Sequence, residues 1–251
     1  VLHDMLAPYI SSGRVALLLE HTAIEGHADG DTVRAVTVRR ARDSADVVLA
    51  APYIIDATEL GDLLPLTGAE YVVGAEAQSD TGEMHAPAEY QPQNHQAFTY
   101  CFAIDYRDGE DHTIDKPRDY EFWRSYTPDL TPAWTGKQLA LAATHPITLE
   151  PRQYVFDPPR EGVDAASGLW RYRRIVDRRN FASGAFDSDV CLVNWPMNDY
   201  WLGNIMEVAD DEAATHRARG KQLSLSVLYW LQTEAPRADG GPGRKGLRLR
   251  R

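Results

Sequence analysis

Tyr53-Ile54-Ile55-Asp56-Ala57-Thr58-Glu59-Leu60-Gly61-Asp62-Leu63-Leu64 is the stretch on which the fold reading turns. Three consecutive apolar residues, Tyr53 to Ile55, have the texture of a strand buried on both faces, as in a parallel sheet. The run stops at small and polar residues, and Gly61-Asp62 opens a helix through Leu63, Leu64 and Leu66. In open α/β sheets, ligands bind just beyond the carboxyl ends of such strands, which would put Asp56, Ala57 and Thr58 at a ligand-facing rim. The simpler alternative for Asp56 and Asp62 is turn and N-cap chemistry.

Upstream, Val15-Ala16-Leu17-Leu18-Leu19 reads as a short buried strand. Thr22-Ala23-Ile24-Glu25-Gly26, the turn dipeptide Asp29-Gly30, the segment Val33 to Val38 and then Val47 to Ala50 read as an antiparallel meander. Downstream, residues 72–93 turn polar and irregular around Pro87 and Pro92, which marks a domain crossing. Ala97 to Ile104 alternates, with Phe98, Tyr100, Phe102 and Ile104 on one face and Ala97, Thr99, Cys101 and Ala103 on the other. The first face is core; the small second face admits close packing by protein or by a planar ligand. Pro128, Pro132, Pro146, Pro151, Pro158 and Pro159 imply short elements and long loops in the middle third. Leu169–Val176 and Val190–Trp195 read as further strands, and Asp210-Asp211-Glu212 starts a long helix carrying Leu223, Val227, Trp230 and Leu231, ended by Pro236.

At 251 residues, 43% hydrophobic and 25% charged, the composition is that of a globular protein and excludes a disordered chain. No run approaches the roughly 18 apolar residues of a membrane span, and the first residues carry no signal-peptide pattern. The net charge of −11 argues against nucleic acid as a partner. Two basic clusters oppose the trend: Arg171, Arg173, Arg174, Arg178 and Arg179, and the tail from Arg244 to Arg251. Ion-paired surface and an exposed end account for them, or Arg173 or Arg174 serves a substrate carboxylate or phosphate. Cys101 and Cys191 cannot form a disulfide framework, and no GxSxG, HExxH or CxxC motif supports covalent or metal chemistry, so no metal site is expected. Gly241-Pro242-Gly243-Arg244-Lys245-Gly246 spells GxGxxG but follows a helix instead of a strand, so it reads as a loop.

Taken in order, Ile55-Asp56-Ala57-Thr58-Glu59-Leu60-Gly61-Asp62-Leu63, Thr67-Gly68-Ala69-Glu70-Tyr71-Val72-Val73-Gly74, Leu192-Val193-Asn194-Trp195-Pro196-Met197-Asn198-Asp199-Tyr200 and Gly246-Leu247-Arg248-Leu249-Arg250 resemble a family of FAD-dependent oxidoreductases of the two-dinucleotide-binding-domain type. That family reads IDATGxGDL, AGAEYxxG, INWPxNDY and GLRLR at these places. Glu59 departs from its glycine, so the close backbone approach there is lost or the next residues take over the turn. The resemblance implies an interior piece of such an enzyme, without the opening glycine-rich segment, and binding FAD weakly or not at all by itself. It implies an α/β (mixed α+β) fold: a partial Rossmann-like FAD domain with a β-meander over 1–70, a β-rich substrate domain over 71–205, and over 206–251 a helix returning to the FAD domain, with a tail.

The same resemblance assigns FAD contacts to Ile24 through its backbone, to Asp56, Ala57 and Thr58 at pyrophosphate and ribose, and to Gly61 and Asp62 at the helix entry. On the substrate side, Asn194, Trp195 and Arg174 are candidates for binding, and His95, Asn198, Asp199 and Tyr200 for catalysis, because hydride transfer to a flavin often needs a base. His145, in the loop before Pro146, is a further candidate base. The Trp-Pro-Met-Asn-Asp-Tyr cluster suits a polyol or sugar, and equally a capped turn with a packed tryptophan. The expected partner is a small-molecule substrate in the cytoplasm, with neither nucleic acid nor membrane; the sequence does not set the oligomeric state. The competing class is a non-enzymatic module that binds carbohydrate through Trp195, Tyr200 and Trp201.

Overall fold

The computed structural model describes residues 1–158 and 168–250, so Pro159 and Arg251 lie outside the described residues. Two compact units divide the chain at Asn94 and His95. Residues 71–94 group with the first unit, beyond the boundary expected near residue 70, and they fold back on themselves. Ala75 and Gln91 bridge, and the Tyr90 hydroxyl donates to the Val73 carbonyl at 2.8 Å.

The first unit opens with helix α1 (Leu2–Ser11) and continues into the meander β1 (His21–Asp29), β2 (Thr32–Arg40) and β3 (Asp46–Ala50). The strands pair antiparallel in the order β1-β2-β3. Gly30, at φ +57, supplies the left-handed residue that the tight β1–β2 connection requires. Short helices α2 (Leu63–Thr67) and α3 (Gln78–Thr81) follow. Two expected strands are absent. Leu17, Leu18 and Leu19 are exposed and irregular, and Tyr53 and Ile55 are 87% and 86% exposed with no strand assigned. A strand exists only through its ladder partners, and no described segment pairs with 53–55; every named ladder among the described residues is antiparallel.

The second unit is built on β4 (Phe98–Thr99), β5 (Phe102–Tyr106), α4 (Tyr120–Ser125), β6 (Ala142–Thr144), β7 (Pro151–Gln153), α5 (Leu169–Tyr172), β8 (Arg174–Val176), β9 (Val190–Val193), β10 (Asp199–Tyr200), α6 (Asp210–Thr233) and β11 (Leu247–Leu249). A four-stranded sheet runs β11-β5-β9-β8, and β10-β4 and β6-β7 form two-stranded ribbons. The expected strand 97–104 breaks at Tyr100 because its carbonyl leaves the ladder. It accepts from the Ser224 hydroxyl at 2.7 Å and from Asn198 Nδ2 at 3.3 Å. Helix α6 packs on the aromatic face of that segment, where a Cβ on Gly220 would lie 2.7 Å from Phe98. The expected strand from Leu169 begins instead as the single turn α5, which buries Leu169 and Trp170.

Leu223, Val227, Leu228 and Leu231 of α6 are buried with Ile104, Trp123, Trp195, Met197, Tyr200 and Leu247 in one core. The expected exposed tail is instead structural. Leu247 is fully buried in β11, and Arg248 and Arg250 reach the buried Asp105 at 2.6 and 3.1 Å. The GxGxxG segment closes the end of α6: Gly243 N–H donates to the Ala235 carbonyl at 2.8 Å and Arg244 N–H to that of Leu231 at 2.9 Å.

Candidate functional site

In the first unit, the sequence around Asp56 folds into a turn held by its own side chains. Asp56 Oδ1 accepts from the Thr58 N–H at 2.9 Å and from the Thr58 hydroxyl at 2.7 Å. Its other oxygen accepts from the Leu63 N–H at 2.9 Å, which satisfies one orphan donor at the start of α2. Thr58 Oγ1 in turn accepts from the Asp62 N–H at 2.7 Å. The Thr58 amide and hydroxyl, then the Leu63 amide, hold the Asp56 carboxyl below its ordinary range. Asp62 occupies the N-cap position of α2 and makes no capping hydrogen bond with its side chain. Capping has therefore fallen to Asp56, and the Asp62 carboxylate is not used for it.

Glu59 does not adopt a positive φ, and the left-handed step of the turn lies at Gly61, at φ +69. Helix α2 lies against β1 at Gly26, where an added Cβ would be 2.6 Å from Thr67 Cγ2 and 2.7 Å from the Leu66 carbonyl oxygen. Ile24 falls at an irregularity in the same strand. Ala23 faces Val38 and Glu25 faces Thr37, leaving Ile24 as the extra, unpaired residue of a bulge. Ile24, Asp56, Ala57, Thr58, Gly61 and Asp62 thus all belong to one compact unit.

The substrate-side candidates lie in the second unit and separate sharply. Trp195 is not a ligand wall: it is 1% exposed and packs against Phe156 at 5.5 Å between ring centroids. Asn198 is fully buried and accepts from the Trp195 N–H at 2.9 Å, closing the 3-10 turn Pro196–Asn198. The capped-turn alternative describes these two residues. Tyr200 is also 1% exposed, and its hydroxyl is 2.8 Å from His216 Nδ1, so it offers no open platform for a carbohydrate module. Asn194 is half-buried just beyond β9.

Arg174 is engaged within the protein, with Asp177 and Asp189 each at 2.8 Å. Arg173 lies over the Tyr172 ring at 5.0 Å. His95 is half-buried, three residues before β4. His145 Nδ1 accepts from the Ile147 and Thr148 amides at 3.2 and 3.1 Å, a turn-closing role that occupies that nitrogen.

Asp199 is the candidate placed in a cavity. About 350 Å³ of space is lined by Asp199, Trp134, Arg152, Tyr154, Tyr172 and Trp201, among others. Thr99 donates its hydroxyl to Asp199, and Gln138, fully buried, donates to the Asp199 carbonyl at 2.6 Å, fixing the backbone. Burial pushes the Asp199 carboxyl up, and the Thr99 hydrogen bond only partly opposes it. A half-buried carboxylate with a raised proton affinity is suited to accept and return a proton. Trp134 and Trp201 pack at 5.8 Å between ring centroids, and the indole N–H of each is buried without an acceptor among the described residues. Sequence reading missed Trp134, Arg152, Tyr154, Tyr172 and the positioning residue Gln138. They come from separate loops and the β6–β7 hairpin, and no spacing signal links them.

A larger cavity of about 670 Å³ lies along β8 and the loops at 107–110 and 187–189. Its arginines are mostly paired: Arg107 with Asp187 at 2.5 Å, Arg174 as above, and Arg179 with Asp177 at 2.7 Å. Among the described residues, no group of three His, Cys, Asp or Glu side chains could hold a metal ion, and no helix is long and apolar enough to cross a membrane.

A model of the family described as FAD dependent oxidoreductase matches residues 1–250. No curated protein and no solved structure matches the chain. With a match over nearly the whole length, the chain belongs to the FAD dependent oxidoreductase family, whose cofactor is FAD.

Proposed function

We propose that this protein oxidises a small organic substrate by hydride transfer to FAD, with the first unit contributing cofactor contacts within a Rossmann-like FAD domain and the second unit contributing the substrate site. The observation that carries this reading is the turn between Asp56 and Leu63, built by internal hydrogen bonds while the carboxylate at its tip, Asp62, is left out of the helix cap.

The residues fit a dinucleotide on three counts. Asp62 supplies an acceptor-rich carboxylate suited to ribityl or ribose hydroxyls. The bulge at Ile24 leaves its backbone outside the strand ladder and open to an adenine edge. Gly26 lets the far end of α2, at Leu66 and Thr67, seat closely on β1, which anchors the short helix that follows the turn. In this reading Ala57, Thr58, Gly61 and Asp62 line the cofactor, while Asp56 acts as a positioning residue that shapes their backbone. Bound FAD supplies the hydride-accepting ring. The chain's own part on the substrate side is to exclude water with aromatic walls and to hold the transferred proton at an Asp199 carboxylate oxygen. Asn198, Tyr200 and Gln138 hold the β10 segment in place from the core side, and Arg174 braces β8 through its ion pairs.

The test is anaerobic titration of the flavin-loaded full-length protein with sugars, polyols and amines. Bleaching of the flavin absorbance by one of these classes, and its loss in Asp199→Asn, supports the reading. A flavin that stays oxidised with every class contradicts it.

A further inference from the structure

We propose that Arg173 anchors a carboxylate at the Asp199 cavity, so that the second unit takes a small organic acid as its ligand. The inference deepens the function proposed above and rests on it for the ligand's role as substrate. At about 350 Å³ the cavity is at the small end of ligand pockets, enough for one small molecule.

Place and pairing single out Arg173 within the basic run at 171–179. Leu169 and Tyr172, the two ends of α5, line the cavity, and Arg173 is the next residue. The Leu192 N–H donates to its carbonyl at 2.9 Å, which fixes its backbone against β9. Its guanidinium lies over the Tyr172 ring at 5.0 Å. An arginine held on an aromatic face keeps the N–H groups along its edge for a planar, two-oxygen acceptor. Among the described residues no carboxylate pairs with Arg173, whereas its neighbour Arg174 is held by Asp177 and Asp189 at 2.8 Å each. Arg174 is thus already neutralised, and Arg173 keeps its charge for a ligand.

Arg173 also stands near the carboxylate side of the cavity. Thr99 donates to Asp199, and Cys101 lies two residues further along the same segment. Burial pushes the Cys101 thiol up, the Asp199 carboxylate adds to the rise and Arg173 opposes it, so both charges act on one thiol. A carboxylate seated on Arg173 therefore places the rest of a short ligand beside Asp199. Charge selects carboxylate over phosphate. One guanidinium balances one carboxylate, whereas a phosphate monoester brings about −1.5 to −2 charges next to a carboxyl whose charged form burial already disfavours. The remainder of the ligand is hydroxylic or basic: a sugar acid and an amino acid share the carboxylate, and the test separates them.

The experiment measures binding to the full chain by calorimetry for two matched pairs, gluconate against sorbitol and phenylalanine against phenethylamine. In each pair the first member carries a carboxylate that the second lacks. The expected result is that, in one pair, the acid binds saturably and about fivefold tighter than its partner, the scale of one partly exposed, charge-assisted pair. Arg173→Gln should remove that advantage and leave the partner's binding unchanged. Arg173→Lys, which keeps the charge and loses the fork, should restore part of it. Arg173 is exposed, so neither substitution opens the core. Acids no tighter than their partners in both pairs, an advantage that survives Arg173→Gln, or no saturable binding by any of the four would each overturn the proposal. Anaerobic bleaching of the flavin-loaded protein by the same four compounds is read separately. An Arg173-dependent advantage with a flavin that stays oxidised sinks the function reading and leaves the anchor standing. Bleaching by sorbitol or phenethylamine with no advantage for the matching acid sinks the anchor alone.

Discussion

Replacing Gly26 by alanine tests how the first unit brings α2 to β1. The new Cβ would lie 2.6 Å from Thr67 Cγ2, 2.7 Å from the Leu66 oxygen and 2.9 Å from the Leu66 carbonyl carbon. Carbon atoms prefer about 3.5–4.0 Å, so the helix must retreat by roughly 1 Å. Two of the three colliding atoms are backbone, which no rotamer change can clear. Overpacking of this kind costs about 1–3 kcal/mol, and exchanging glycine for alanine in a strand returns about 0.5–1 kcal/mol. The net expectation is a loss of about 1–2 kcal/mol, read from urea unfolding of the first unit.

If binding flavin requires the retreat to be undone, affinity falls by about tenfold. Adding Thr67→Ser removes the Cγ2 collision, keeps the hydroxyl that donates to the Leu63 carbonyl at 2.8 Å, and leaves the Leu66 backbone in the way. The double variant should therefore recover only part of both losses. Wild-type stability and flavin affinity in Gly26→Ala, or full recovery with Thr67→Ser, would refute the packing argument.

Three further outcomes are expected. Asp62→Ala should lower flavin occupancy while leaving the stability of the flavin-free protein within about 0.5 kcal/mol, because Asp62 makes no cap bond; Asp56→Ala, which removes three hydrogen bonds, should lower the melting temperature as well. Asp199 has a folded-state proton affinity raised above the ordinary value of 3.8, so the native state holds its proton longer than the unfolded chain and its contribution to stability is lost as pH rises beyond that value. Asp199→Asn should thus gain on the wild type as pH rises above 3.8 in denaturant titrations, and a constant difference would contradict the assigned burial. Gly203→Ala places a Cβ in collision with the His216 ring at φ +155, breaking the Tyr200–His216 hydrogen bond, and should cost about 3–5 kcal/mol from strain and an unpaired buried hydroxyl. Gly240→Ala, also at positive φ but with nothing within 4 Å, is the control and should cost about 1–2 kcal/mol in the same melt.

The local patterns that proved legible are those written in contiguous residues. The β1–β3 meander follows from alternation and a turn dipeptide, and α6 from its acidic first turn and the spacing of Leu223, Val227 and Leu231. What the sequence concealed depends on distant partners. The apolar run at Tyr53–Ile55 matches a buried strand in composition, yet it has no ladder partner among the described residues and lies exposed. Trp195 and Tyr200 look like a sugar platform until the core closes over both. Asp56 and Asp62 are two carboxylates six residues apart with the same capping potential, and only the folded turn divides the work between them. The cavity around Asp199 is assembled from Trp134, the β6–β7 hairpin, α5 and the start of β10, so its chemistry had no linear signature.

Amide hydrogen exchange of the flavin-loaded protein against its flavin-free form addresses the central claim most directly. The account predicts slowed exchange at Ile24 and at Ala57 through Asp62 when FAD is bound. Protection confined to other segments, with these amides exchanging at unchanged rates, would contradict it.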